Sequence, residues 1–182
     1  MTKPLSIFIA IVLVSSCRKS GKDWVVLPEK EALELKQPCS RPFPEGLSGY
    51  WELGNKEIQR AELRFQGAMI EALKCVSKEE SEAAPGVYYA QYAGFFRNGH
   101  KVVYVNAVGD SVPGWRDHAI KLCDGGVMSF GAVLDLDSDA VDSFEFNGKF
   151  AGRVQMRNGC FEGAAQHGVA PDGRSPAAPA RR

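Results

Sequence analysis

Five cysteines, Cys17, Cys39, Cys75, Cys123 and Cys160, hold most of the reactive chemistry in this 182-residue chain. A thiol can be acylated, oxidised to a disulfide, ligate a metal or act as a nucleophile. An odd count leaves one thiol that pairing within the chain cannot use. No Cys-x-x-Cys and no close Cys/His pair occurs, so a zinc site is not expected. A serine nucleophile is offered by Gly109-Asp110-Ser111 with Gly114, after a Val-rich run. It needs a histidine base, for which His118 and His100 are the candidates, while His167 lies far along the chain. None of the three has an aspartate three residues before it, those positions being Arg97, Trp115 and Ala164, and the Gly/Asp/Ser/Pro cluster reads first as turn chemistry. Asp135, Asp137 and Asp139 alternate like the first ligands of a calcium loop. However, Ala140 stands where such a loop needs glycine and Phe146 where it needs a bidentate glutamate. An acidic hairpin loop is expected, and cation binding by the three is left open.

Cys17 is set apart by what precedes it. Lys3, the apolar run Ile7 to Val14 and the small pair Ser15-Ser16 have the three-part form of an export signal. Eight apolar residues make only about 12 Å of helix, against a hydrocarbon core of about 30 Å, so this run does not span a bilayer. Val14-Ser15-Ser16-Cys17 resembles the lipobox of bacterial lipoproteins. The resemblance implies cleavage before Cys17, acyl chains on its thiol and a lipid-anchored place in the cell envelope. Arg18 and Lys19 stand where lipoproteins retained at the inner membrane carry aspartate, so the resemblance favours the outer membrane over the inner. In that oxidising compartment Cys39, Cys75, Cys123 and Cys160 are expected to form two disulfides. Three pairings are possible and the sequence does not choose among them.

Charge narrows the partners. Lys and Arg number 22 and Asp and Glu number 22, which argues against a nucleic-acid binder, since that normally needs a basic face. The serine block resembles that of the GDS-type (SGNH) esterases, but their later Asp-x-x-His is missing and too little chain follows Ser111 for their fold.

The elements that must position these residues are legible in part. Residues 1–16 read as signal peptide. Residues 17–49, with Pro28, Pro38, Pro42 and Pro44, read as a tether, 50–160 as one α+β domain, and 161–182 as a disordered tail rich in Pro, Ala, Gly and Arg. Ile58, Ala61, Phe65, Ala68, Met69, Ala72, Leu73 and Val76 recur at three and four, predicting one amphipathic helix capped by Asn55. Val87 to Phe96 and Lys101 to Val108 flank Asn98-Gly99, a strong hairpin signal. That turn sets Phe96 opposite Lys101, Tyr92 opposite Val105 and Gln91 opposite Asn106, the last read as a cross-strand polar pair on an exposed face. Trp51, Trp115 and the tyrosines are expected in core and rim. Further strands are expected over Val127 to Leu136 and from Ser143. The expected fold is one amphipathic helix packed on a four-stranded antiparallel meander, a cystatin-like layout.

Tyr50-Trp51, Val103-Tyr104-Val105-Asn106-Ala107, Cys123-Asp124-Gly125-Gly126 and Phe144-Glu145-Phe146-Asn147-Gly148 resemble a pattern in uncharacterised exported bacterial proteins. The resemblance covers residues 50–150 and implies a domain boundary but no activity. The chain is therefore expected to be a non-enzymatic envelope lipoprotein, without cofactor or metal, that binds a protein, peptide or glycan. The alternatives are a small envelope hydrolase using Ser111 with a histidine base, and a structural or assembly component.

Overall fold

The computed structural model describes residues 23–37, 39 and 41–148. In chain order they form β1 (Trp24–Val26), α1 (Glu29–Glu34), β2 (Leu47–Trp51), α2 (Asn55–Leu73), α3 (Lys78–Ala83), β3 (Tyr89–Arg97) and β4 (His100–Val108). A 3₁₀ turn (Gly126–Met128), β5 (Ser129–Asp135) and β6 (Ala140–Phe146) follow. The class is α+β, built on a six-stranded, mostly antiparallel sheet. The expectation of four strands and a single helix is corrected. β3 to β6 form the anticipated meander, and β1 and β2 share the outer edge of β3. β1 pairs parallel with Ala90 to Tyr92, and β2 pairs antiparallel with Gly94 to Arg97.

Part of the stretch read as a tether is thus folded. Trp24-Val25-Val26 adds a strand, Pro28 stands at the N-cap of α1, and Leu27, Ala32 and Leu35 are buried. A three-residue strand and a six-residue helix are too short to show a period, and proline suits a helix start as well as a linker.

The β3–β4 hairpin turns at Asn98 (φ 52°) and Gly99 (φ 83°). Its ladder pairs Gln91 with Asn106, Tyr92 with Val105 and Phe96 with Lys101, as the turn dictates. α2 begins at Asn55 itself, the residue expected to cap it, and Gly54 takes the cap position. Its buried stripe, Ile58, Ala61, Phe65, Ala68 and Ala72, packs with Tyr92, Val103, Val105, Phe130, Leu134 and Phe144. The opposite sheet face is covered too. Ala93, Phe95, Val102, Tyr104 and Val133 meet Leu27, Ala32, Leu35 and Leu47 there. Coverage on both faces explains why Val102 to Val108 is one unbroken buried run. β2 approaches β3 closely because Gly94 has no side chain: a Cβ there would overlap the Trp51 carbonyl and indole. The Trp51 Nε1 donates to the Phe95 carbonyl at 2.8 Å.

Candidate functional site

Gln91, Asn106, Ser129, Glu145 and Asn147, the buried polar residues among those described, all lie on the sheet face covered by α1. Alternation along each strand and the ladder registers align Gln91, Asn106, Gly131 and Glu145 in one row across β3 to β6. The exposed polar pair anticipated from the sequence is therefore a correction: Gln91 is 1% and Asn106 3% exposed.

The amides of this row hold down a segment without regular structure. Gln91 Nε2 donates to the Trp115 and His118 carbonyls, each at 2.6 Å, and Gln91 Oε1 accepts from Asn106 Nδ2 and the Ile120 N–H, each at 2.9 Å. Asn106 Nδ2 also donates to the Ile120 carbonyl, and Asn147 Nδ2 to the Leu122 carbonyl. Buried backbone groups need partners, and here side chains supply what a neighbouring strand would. Arg41 closes the arrangement by donating to the side-chain oxygens of Asn106, Asn147 and Tyr104. Its guanidinium lies over Gly131, where a Cβ would come within 2.8 Å of both the guanidinium carbon and the Tyr104 hydroxyl. The cavity beside Arg41 is about 20 Å³, room for a single water. A disulfide joins Cys39, on the wall of this cavity, to Cys123, with Cα atoms 5.2 Å apart. The cluster is a lock between sheet and covering loop, too small to admit a substrate.

The other face is more open. α2 packs chiefly on β5 and β6, leaving a groove of about 440 Å³ between Phe65 and Met69 of α2 and the sheet, floored by Ala90 and Ala107. Tyr92 is stacked on Phe65 at 6.2 Å and met edge-on by Trp24 at 6.3 Å. Tyr88 packs edge-on against Phe130 and donates its hydroxyl to the Val127 carbonyl at 2.6 Å. Burial pushes both phenols well above the usual tyrosine range, with the Glu62 carboxylate adding to the effect at Tyr92, so both stay neutral. Among the described residues, no group hydrogen-bonds the Tyr92 hydroxyl. The rim carries the carboxylates of Asp23 and Glu62, and among the described residues no Lys or Arg lines the groove. The site is apolar and aromatic inside and acidic at its mouth.

The catalytic candidates are not brought together. Ser111 lies in a shallow depression with Trp115 and Asp117. His118 Nδ1 faces Glu31 at 3.6 Å, His100 Nδ1 lies 2.5 Å from Asp137 Oδ2, and neither histidine is hydrogen-bonded to Ser111. The three aspartates are likewise separated by their partners. Asp135 accepts from the N–H groups of Ser138 and Asp137, which hold its carboxyl below the usual range. Asp139 pairs with Arg60, at 2.5 Å, and with Arg64, both on α2. Among the described residues no group of three or more His, Cys, Asp or Glu is placed to hold a metal.

Cys75 is also disulfide-bonded. Cys17, Cys160, His167, the signal segment and the tail lie outside the described residues. Sequence reasoning missed Arg41, Tyr104 and Asn147. Arg41 sits among prolines that gave no periodic signal, and Asn147 reads as a turn residue. It also missed the groove, to which Asp23 and Trp24, at the start of β1, contribute. No protein-family model, curated protein or solved structure matches the chain.

Proposed function

We propose that this chain is a lipid-anchored envelope protein whose domain is a non-enzymatic binding module. Cys17 carries the acyl chains, and the aromatic groove beneath α2 takes an extended peptide segment of a partner. The observation that carries the binding reading is the groove itself. It pairs large aromatic walls with a floor of small residues, the Tyr92 hydroxyl, and a rim that carries the carboxylates of Asp23 and Glu62. Such a site favours apolar side chains beside Lys or Arg, the apolar parts driving association and the charges setting register. The anchoring reading is supported by the lipobox-like Val14-Ser15-Ser16-Cys17. Durable attachment needs more than one acyl chain, each buried CH₂ contributing about 0.8 kcal/mol. Among the described residues no helix is long and apolar enough to cross a membrane.

Two arms test the proposal. Cys17→Ser should shift the protein from the membrane to the soluble fraction and abolish acyl mass; a variant that stays membrane-bound would sink the anchor. For the groove, a synthetic peptide of alternating Arg and Phe should change tryptophan fluorescence saturably, whereas a Glu/Phe peptide should not. Glu62→Gln should weaken the Arg/Phe peptide several-fold, and Ala90→Trp, which fills the floor, should abolish binding. Equal binding of both peptides, or of neither, rejects the groove as the site.

A further inference from the structure

We infer that the second disulfide of this protein joins Cys75 to Cys160, binding the end of α2 to the chain that follows β6. Among the described cysteines Cys39 and Cys123 are bonded to each other, while Cys75 is itself disulfide-bonded. Its partner is therefore Cys17 or Cys160, the remaining cysteines of the sequence.

Geometry allows Cys160. Cys75 follows directly on the C-cap of α2, and α3 starts three residues later at Lys78. α3 packs on the 3₁₀ turn Gly126–Met128. The chain leaving β6 arrives at that same turn: the nearest neighbours of a Cβ placed on Gly148 are Asp124, at 3.5 Å, and the Gly126 nitrogen, at 3.8 Å. The end of β6 and α3, the helix that follows Cys75, thus meet at one short turn. The residues from Gly148 to Cys160 can extend about 40 Å, ample for a bridge between neighbouring ends. Chemistry selects Cys160, resting on the proposed anchor: a Cys17 sulfur bonded to lipid has no thiol left to pair.

The bridge forms by exchange with a disulfide-bearing thiol oxidoreductase of the exported compartment. The two cysteine thiols together give up two protons and two electrons, an S–S bond forms, and the disulfide of the oxidant is reduced to a dithiol. The two bridges are then crossed in sequence, Cys75 lying between Cys39 and Cys123, and Cys123 between Cys75 and Cys160. They also divide the molecule by layer. Cys39–Cys123 fastens the covering of the Arg41 face, and Cys75–Cys160 fastens the α2 layer beside Met69 and the groove.

The test is peptide mapping by mass spectrometry of full-length protein extracted from its membrane without reductant and with thiols alkylated. A Cys75–Cys160 linked peptide, lighter by two hydrogens than the sum of its parts, is expected, and Cys75→Ser should leave Cys160 alkylated. Cys17→Ser should leave the linked peptide intact. A Cys17–Cys75 peptide would overturn both the inference and the anchor. An alkylated Cys75 in wild-type protein, or Cys75 linked to Cys39 or Cys123, would overturn the inference alone. A Cys75–Cys160 peptide alongside a Cys17 without acyl mass would uphold it and reject the anchor. The wild-type map suffices even if a variant fails to fold.

Discussion

Arg41 illustrates how a single side chain can carry a layer. It is charged, half-buried, and donates to Asn106 and Tyr104 of strand β4 and to Asn147, just beyond β6. Hydrogen bonds to a charged group contribute about 1.5–3 kcal/mol each, and a planar guanidinium offers five donors in a fixed fork against the three of an ammonium. Its position depends on Gly131. Gly131→Ala should destabilise the protein by about 1–3 kcal/mol, the range for overpacking, because the methyl meets the guanidinium and the Tyr104 hydroxyl. In urea titrations Gly131→Ala combined with Arg41→Ala should cost clearly less than the two single changes together; strict additivity would show that the two residues do not share space. The sequence offered Gln91 and Asn106 as a pair but not their burial. Their cover is the stretch 109–125, which has no hydrophobic period to announce that it folds over the sheet, and Arg41 lies in a proline-rich run that reads as linker.

Elements show a similar division. β3, β4 and α2 were legible because a two-residue Asn-Gly turn fixes register and a long apolar stripe fixes a helix face. β1 and α1 were not, because their burial comes from partners far along the chain. The β5–β6 hairpin is fastened to α2 by charge, Asp139 facing Arg60 and Arg64. Those two guanidinium groups lower the Asp139 pKa to about 2. A carboxyl depressed in the folded state stabilises fully above its unfolded value, near 4, and this stabilisation is lost as pH falls towards 2. The urea midpoint of wild-type protein should therefore drop more steeply between pH 4 and pH 2 than that of Asp139→Asn. Parallel curves would show that the clamp adds nothing. High salt should narrow the difference, since these groups are partly exposed.

For the whole molecule, coverage on both faces is what most distinguishes the observed fold from a helix laid on a bare meander. One of these layers is short on regular structure and depends on the Cys39–Cys123 bridge. Joining residues 84 apart in sequence removes about 4–5 kcal/mol of loop-closure freedom from the unfolded chain. Changing both cysteines to serine should lower stability by a large part of that figure in calorimetry or denaturant titration. A loss below about 1 kcal/mol would mean that the amide row alone secures the layer. The other wide feature, the groove, has its mouth at Asp23 because β1 runs parallel to β3 from that end. From Cys17 to Asp23 the chain can stretch only about 20 Å. Acylated at Cys17 as proposed, the protein would be on a short leash, with the mouth of the groove confined to a thin shell above the lipid surface. Partners embedded in that surface would be met at a high effective concentration, while those dissolved in the bulk would be met as by any untethered domain.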